Sequence, residues 1–212
     1  MNNNAYNNAY NNAYNNASVK HGSHVPVEPG FWIAIFMDLV AFSALFVTIL
    51  YRRYESASNF QEFAEGAKHL NQGIGLANTF ILVTSSFFVA RAVVLYRGME
   101  VKKAKNQLIV GILLGVSFIA LKSVEYSQKL NEGITAASGV FYGLYFAATG
   151  IHLFHVFVGV LCLIFISRNY GIDKQEGGGL DFAWVEAGGC YWHMVDLLWF
   201  LLFALLYLVP QA

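Results

Sequence analysis

Apolar residues form five long runs along this chain, and most polar residues lie between the runs. The runs are Phe31–Leu50, Ile74–Tyr96, Gln107–Tyr126, Ser138–Ser167 and Ala183–Val209. Each run supplies the roughly 20 residues that an α-helix needs to cross about 30 Å of hydrocarbon, and none alternates as a membrane-spanning strand would. The pattern predicts an all-α, polytopic membrane bundle of five transmembrane helices. The polar stretches Arg52–Gly73 and Arg168–Phe182 are predicted to be its long loops.

The start of the chain has a different composition from the rest. The unit Asn-Asn-Ala-Tyr repeats three times between Asn3 and Tyr14. A polar tract of such low complexity has too little apolar surface to form a core. We therefore expect residues 1–29 to be a disordered tail and residues 30–212 to form one transmembrane domain.

The overall composition agrees with a membrane protein. Hydrophobic residues make up 57% of the chain and charged residues only 12%, whereas soluble domains have about 25% charged residues. The formal net charge is zero, so nothing indicates a nucleic-acid partner. Cys162 and Cys190 both lie in apolar runs without metal-ligand spacing, and we expect both to be small core residues.

Lysine and arginine residues predict the orientation of the chain in the membrane. Seven lie on the side that holds the N-terminus, and four lie on the other side. The seven are Lys20, Arg97, Lys102, Lys103, Lys105, Arg168 and Lys174, and the four are Arg52, Arg53, Lys68 and Lys129. Because cytoplasmic loops carry the excess of basic residues, we expect a cytoplasmic N-terminus and an external C-terminus.

Two ionisable residues interrupt the first two apolar runs. Each costs roughly 2.5–3.5 kcal/mol to insert into a membrane unless a partner shelters it. Asp38 lies about 10 Å from the cytoplasmic end of the first helix, and it is predicted to be either a proton-handling or lipid-contacting group or a hydrogen-bonded carboxyl that fixes helix packing. Arg91 lies about one turn inside the second helix and is expected to extend to the surface or to contact a lipid phosphate.

The later runs contain several more ionisable residues. Lys122 and Glu125 are three apart, so they can neutralise each other or extend to the interface. His152 and His155 share one helix face, as do Glu186 and His193, with Asp196 close by. We interpret Glu125, His152, His155, Glu186, His193 and Asp196 as an interior polar network. The set His152, His155, His193 and Asp196 leaves open a metal site, although the paired Glu-x-x-His pattern of di-iron bundles is missing.

Several blocks of sequence occur in an order that resembles a known family. The two most specific are Thr149-Gly150-Ile151-His152-Leu153-Phe154-His155-Val156 and Tyr191-Trp192-His193-Met194-Val195-Asp196. Shorter blocks are Phe31-Trp32 with Asp38, Phe42-Ser43-Ala44-Leu45-Phe46, Asn78-Thr79, Thr84-Ser85-Ser86 and Glu125-Tyr126. Over roughly Gly30 to Pro210, the chain resembles subunit III of the haem–copper oxidases, cytochrome c oxidase subunit III in particular.

The resemblance implies a non-catalytic subunit of the respiratory chain. Such a subunit has no cofactor of its own and packs against subunit I, which holds haem and copper, in a complex that includes subunit II. It supports proton uptake, protects subunit I during turnover and assists assembly. The family's buried carboxylate matches Asp38, and a bound phospholipid is allowed. The resemblance also implies a multi-pass protein of the bacterial inner membrane, in contact with membrane lipids.

Three alternatives remain open from the sequence. The blocks Leu76-Ala77-Asn78-Thr79 and Tyr191–Trp199 resemble equally the accessory protein of nitric oxide reductase of the NorE type, also a five-helix member of this family. A self-contained membrane metalloenzyme would use the His152, His155, His193 and Asp196 set. A small transporter or proton channel is the third alternative, and the chain lacks the broken helices typical of transporters.

Overall fold

The computed structural model of the protein describes residues 29–169 and 182–208. Within them lie six α-helices: α1 (Pro29–Tyr54), α2 (Ala57–His69), α3 (Gln72–Arg97), α4 (Val101–Asn131), α5 (Val140–Asn169) and α6 (Phe182–Tyr207). All except α2 are long and apolar enough to cross a membrane. The predicted all-α bundle with five membrane-spanning helices is therefore confirmed. The predicted tail, apart from Pro29, lies outside the described residues, as does most of the predicted loop Arg168–Phe182.

Helices α3, α4, α5 and α6 form a four-helix core. In this core α3 packs against α4 and α6, and α5 packs against the same two helices. Helix α1 lies outside the core and contacts α2, α5 and α6. Its outward surface is apolar, with exposed side chains such as Ile33, Phe36 and Val47, as expected for a helix that faces lipid or another protein.

The centre of the core is built around Trp192 of α6, which is almost completely buried. The indole ring lies where α4 and α5 present Gly115 and Gly159. A Cβ atom at Gly115 would be 2.7 Å from the ring, and one at Gly159 would be 2.9 Å from it. The two glycines therefore leave the space into which the indole packs.

Helix α2 corrects one prediction. The polar stretch Arg52–Gly73 was expected to be a loop, but most of it is helical. Ser56 caps the helix by accepting a hydrogen bond from the amide of Asn59 (3.1 Å). Phe63 and Ala67 are buried, whereas Glu65 and Lys68 remain exposed. The stretch is polar overall because this short helix is amphipathic, with only one face against the bundle.

The expectation for the cysteines is also wrong. Cys162 and Cys190 are both exposed and free of disulfides. Each lies on an outer helix face of the bundle, where a small, weakly polar side chain is compatible with a membrane or with a partner.

Candidate functional site

The structure distributes the predicted polar residues over three separate places. Glu125 and His152 lie inside the four-helix core, and His155 lies opposite Asp38 where α1 meets α5. Glu186, His193 and Asp196 follow one side of α6, next to α3. The six residues interpreted as one interior network are therefore three groups with different surroundings.

The first group is a buried ion pair in the core. Lys122 and Glu125, both on α4, are 3.1 Å apart, and each side chain is 1% exposed. The Lys122 ammonium also donates to the hydroxyls of Tyr145 (3.1 Å) and Tyr207 (2.6 Å). Both hydroxyls in turn donate to Glu125 Oε1, at 2.8 and 2.5 Å. The cluster joins α4, α5 and α6, and the pair stays buried instead of extending to the interface.

Aromatic rings complete the surroundings of this cluster. The Lys122 ammonium lies 4.8–5.5 Å from the ring centroids of Tyr126, Tyr145, Trp199 and Tyr207, within the range of a cation–π attraction. Trp199 in turn donates from Nε1 to Thr79 Oγ1 of α3 (3.0 Å). All four core helices thus contribute to one polar centre.

His152 lies beside this centre and is completely buried. Its ring centroid is 5.8 Å from that of Phe118 and 5.3 Å from that of Trp199. Neither ring nitrogen has a hydrogen-bond partner among the described residues. Because desolvation strongly disfavours an imidazolium in such a place, His152 packs as a neutral aromatic side chain.

The second group pairs α1 with α5. Asp38 Oδ1 lies 3.5 Å from His155 Nε2, with the two side chains 34% and 16% exposed. His155 Nδ1 lies 2.8 Å from the carbonyl oxygen of Ile151. Because a carbonyl can only accept, Nδ1 bears a proton. Nε2 and the carboxylate can attract each other only when one further proton resides on either of them.

A cavity of about 450 Å³ opens beside Asp38 between α1, α5 and α6. Apart from Asp38 and the partly buried Tyr191, its walls are almost entirely apolar, with Phe31, Phe165 and Trp184 among them. A space of this size and polarity fits an apolar ligand better than a polar one.

The third group runs along α6 towards its first turns. Glu186 pairs with Arg97 at the end of α3 (2.5 Å). His193 Nδ1 is 2.8 Å from Ser86 Oγ of α3, and Asp196 lies near both side chains.

Arg91 is exposed on α3, six residues before Arg97 and hence about 9 Å from the end of the helix. Its long side chain can span that distance to the interface.

The metalloenzyme alternative required four residues to converge. Among residues 29–169 and 182–208, no three His, Cys, Asp or Glu side chains come close enough to hold a metal ion. His152, His155 and the His193–Asp196 pair lie at the three different places described above. The ligand set on which that alternative depended is therefore not assembled.

Sequence reasoning missed the tyrosines of the core cluster. The spacing of Lys122 and Glu125 indicated the pair, but Tyr145 and Tyr207 come from other helices. Both tyrosines lie in apolar runs, where a phenol needs a hydrogen-bond partner once it is buried. That requirement was the available signal, but it does not identify the partner.

Comparison with known proteins places these observations in a family. The family model of cytochrome c oxidase subunit III matches residues 9–210. A cytochrome c oxidase subunit 3 of Corynebacterium diphtheriae is 29% identical over 183 residues, which are 86% of this chain and 88% of the relative. A probable quinol oxidase subunit 3 of Staphylococcus aureus is 26% identical over 186 residues, 86% of this chain and 89% of the relative.

Proposed function

Because the chain belongs to the cytochrome c oxidase subunit III family of the haem–copper oxidases, we propose that it supports a catalytic partner in aerobic electron transport. The reduction of oxygen takes place in that partner, subunit I, which holds haem and copper and which works with subunit II. This chain sustains proton uptake by subunit I, protects it during turnover and assists its assembly.

The observation that supports the proton-related role is the pair of Asp38 and His155. A carboxyl group and an imidazole face each other at 3.5 Å within two membrane-spanning helices, and both are partly exposed. Carboxyl and imidazole groups are the side chains that most often transfer protons in proteins, so their contact here supports a proton-related role. Charged groups at this depth are costly, which favours a functional reason for keeping them.

The cavity beside Asp38 supports the binding of a phospholipid. Its volume of about 450 Å³ and its apolar walls fit an acyl chain. An acyl chain in this place fills the gap that α1 leaves against α5 and α6. It also keeps bulk water away from the Asp38 carboxyl, so that proton exchange follows a restricted route.

The test is the lifetime of the oxidase during continuous turnover. We expect deletion of the gene, and the variant Asp38→Asn, to reduce the number of turnovers that the complex completes before it becomes inactive. Glu55→Gln is the matched control, because Glu55 lies in an exposed position just after α1 and pairs with the exposed Arg52. An unchanged lifetime in the deletion strain, with normal amounts of assembled complex, would contradict the proposal.

The relatives also guide the choice of partner. Both carry the names of oxidase subunits, so we propose association with subunits I and II of an oxidase and not with a nitric oxide reductase. Affinity purification of the chain in mild detergent, followed by mass spectrometry, distinguishes the two.

We further propose that the chain resides in a bacterial plasma membrane with a cytoplasmic N-terminus, as the distribution of basic residues favours.

A further inference from the structure

One side of α6 remains exposed although α6 is the most central helix. Exposed positions recur every three or four residues along this side, and the stripe that they form consists of Cys190, His193, Leu197, Phe200 and Ala204. His193 lies about 17 Å along the helix from its first residue, hence near the middle of a hydrocarbon layer about 30 Å thick. An exposed imidazole therefore occurs at the depth where polar groups are least tolerated.

The outer side of α5 shows what a lipid-facing surface of this bundle looks like. Between residues 151 and 165 its large exposed side chains are all apolar, namely Ile151, Phe154, Phe157, Leu161 and Phe165. The contrast with α6 cannot be explained by general membrane exposure, because both helices cross the same layer. The polar groups of α6 instead indicate a surface that another protein covers.

A groove between α3 and α6 runs beside this stripe. It has a volume of about 310 Å³ and is lined by Ala90, Val93, Arg97, Glu186, Gly189, Cys190 and His193. Small side chains at the bottom of such a groove allow another helix to approach closely. A lipid phosphate lies at the membrane surface, so it can bind Arg97 at one end of the groove but does not reach His193.

We propose that this α3–α6 face, defined by the groove and the exposed stripe of α6, docks a transmembrane helix of the oxidase's catalytic subunit. His193 Nδ1 is held by Ser86, which leaves Nε2 for a hydrogen-bonding side chain of the partner helix. Small residues of that helix lie against Gly189 and Cys190. This inference rests on the proposed function, and it adds which face of the chain meets the catalytic subunit and through what chemistry.

Photochemical cross-linking within the intact complex tests the face directly. A benzophenone side chain replaces either Leu197 on the α3–α6 face or Phe154 on α5, two apolar residues that are 57% and 63% exposed. After illumination of native membranes, we expect a covalent product with the catalytic subunit from position 197 and none from position 154. The opposite pattern, or a product from position 197 that contains only lipid or a second copy of this chain, would overturn the inference.

A second measurement separates this inference from the proposed function. Co-purification of wild-type chain with oxidase subunits, combined with cross-links from position 154 alone, overturns the docking face and leaves the function intact. Absence of any oxidase subunit from the purified material overturns both.

The variant His193→Leu tests the chemistry of the contact. Interhelical hydrogen bonds in membranes are worth 0.6 to about 1.7 kcal/mol, which corresponds to about 3- to 18-fold in affinity. We expect the variant to dissociate from the complex about 3- to 18-fold more readily in detergent. Phe157→Leu on α5 is the control and should leave association unchanged. Equal dissociation of both variants, each at a normal amount in the membrane, would contradict the role of His193.

Discussion

At the scale of single residues, burial of the Lys122 ammonium has to be compensated by several hydrogen bonds. An ammonium has three N–H donors, and Glu125, Tyr145 and Tyr207 accept one hydrogen bond each. Removing two charges from water is costly, and the attraction between them compensates only when the remaining hydrogen-bonding capacity is satisfied. The complete set of partners explains how a charged pair persists in the core of a membrane bundle.

Loss of one member of this pair should destabilise the protein strongly. We expect Lys122→Met to lower the free energy of unfolding by about 3–5 kcal/mol, because Glu125 is left charged and buried. The measurement is thermal or denaturant unfolding of the purified chain in detergent. Lys129→Met is the control, since its partner Glu132 is 53% exposed and returns to water. That variant should cost about 1 kcal/mol or less.

A double variant distinguishes the buried charge from the loss of packing. Glu125→Gln in the Lys122→Met background removes the stranded charge and keeps an oxygen that accepts from the tyrosines. We expect it to recover most of the stability that Lys122→Met loses. If the double variant is as unstable as the single one, packing around Lys122 and not its charge is the dominant contribution.

The sequence predicted the Lys122–Glu125 pair but not its burial. Spacing along one helix follows from 3.6 residues per turn, whereas the positions of Tyr145 and Tyr207 depend on how three helices pack. The same limit applies to Asp38. Its cost in the membrane could be inferred, but His155 as its neighbour depends on where α1 meets α5.

At the scale of helices, hydropathy identified each of the five membrane-spanning segments. Length and apolar composition are sufficient for that purpose, since every backbone polar group in lipid must be bonded within a helix. Hydropathy alone located the first and last residues of these helices less accurately. Helix α4 begins at Val101 and ends at Asn131, although its apolar run covers only Gln107–Tyr126, because lysine and glutamine readily continue a helix into water. Helix α2 was missed because its apolar face is one narrow stripe.

Helix α2 should depend on one hydrogen bond to the core. Glu62 Oε1 accepts from the amide of Phe141 at the start of α5 (2.9 Å), where a carboxylate also interacts favourably with the helix dipole. We expect Glu62→Ala to weaken this contact by about 1–2 kcal/mol. Amide hydrogen exchange in residues 57–69 should then become about 5- to 30-fold faster.

The control for that variant lies on the same helix. Glu65 is exposed, so Glu65→Ala should leave exchange of α2 nearly unchanged. Equal acceleration by both variants would contradict the specific role of the contact with Phe141, because alanine favours a helix more than glutamate does.

Packing of α5 against α6 gives a sharper prediction. A Cβ atom at Gly159 would lie 2.9 Å from the Trp192 ring, whereas the nearest atom to one at Gly150 is 3.8 Å away. We expect Gly159→Ala to cost about 1–3 kcal/mol through overpacking. Gly150→Ala on the same helix should be neutral or stabilising, since alanine favours helices. Unfolding of the two variants in detergent makes the comparison, and similar midpoints would contradict the packing of Trp192.

At the scale of the whole molecule, the bundle is asymmetric. The core of α3–α6 is tied together by the Lys122 cluster and by Trp192, while α1 is attached through its contacts with α2, α5 and α6. Apolar side chains cover the outside of α5, and polar side chains interrupt the outside of α6. The molecule thus has one surface suited to lipid and another suited to a partner, as expected for a subunit of a larger membrane complex.

The orientation of the bundle can be tested on turns at opposite ends. Lys102 lies in the first turn of α4 and Ala137 lies in the connection between α4 and α5, and both are exposed. The positive-inside rule places Lys102, with neighbouring Arg97, in the cytoplasm. In a background of Cys162→Ala and Cys190→Ala, an impermeant maleimide added to whole cells should label Ala137→Cys but not Lys102→Cys. Disruption of the membrane should then expose both positions. Labelling of position 102 alone in intact cells would mean that the bundle has the opposite orientation.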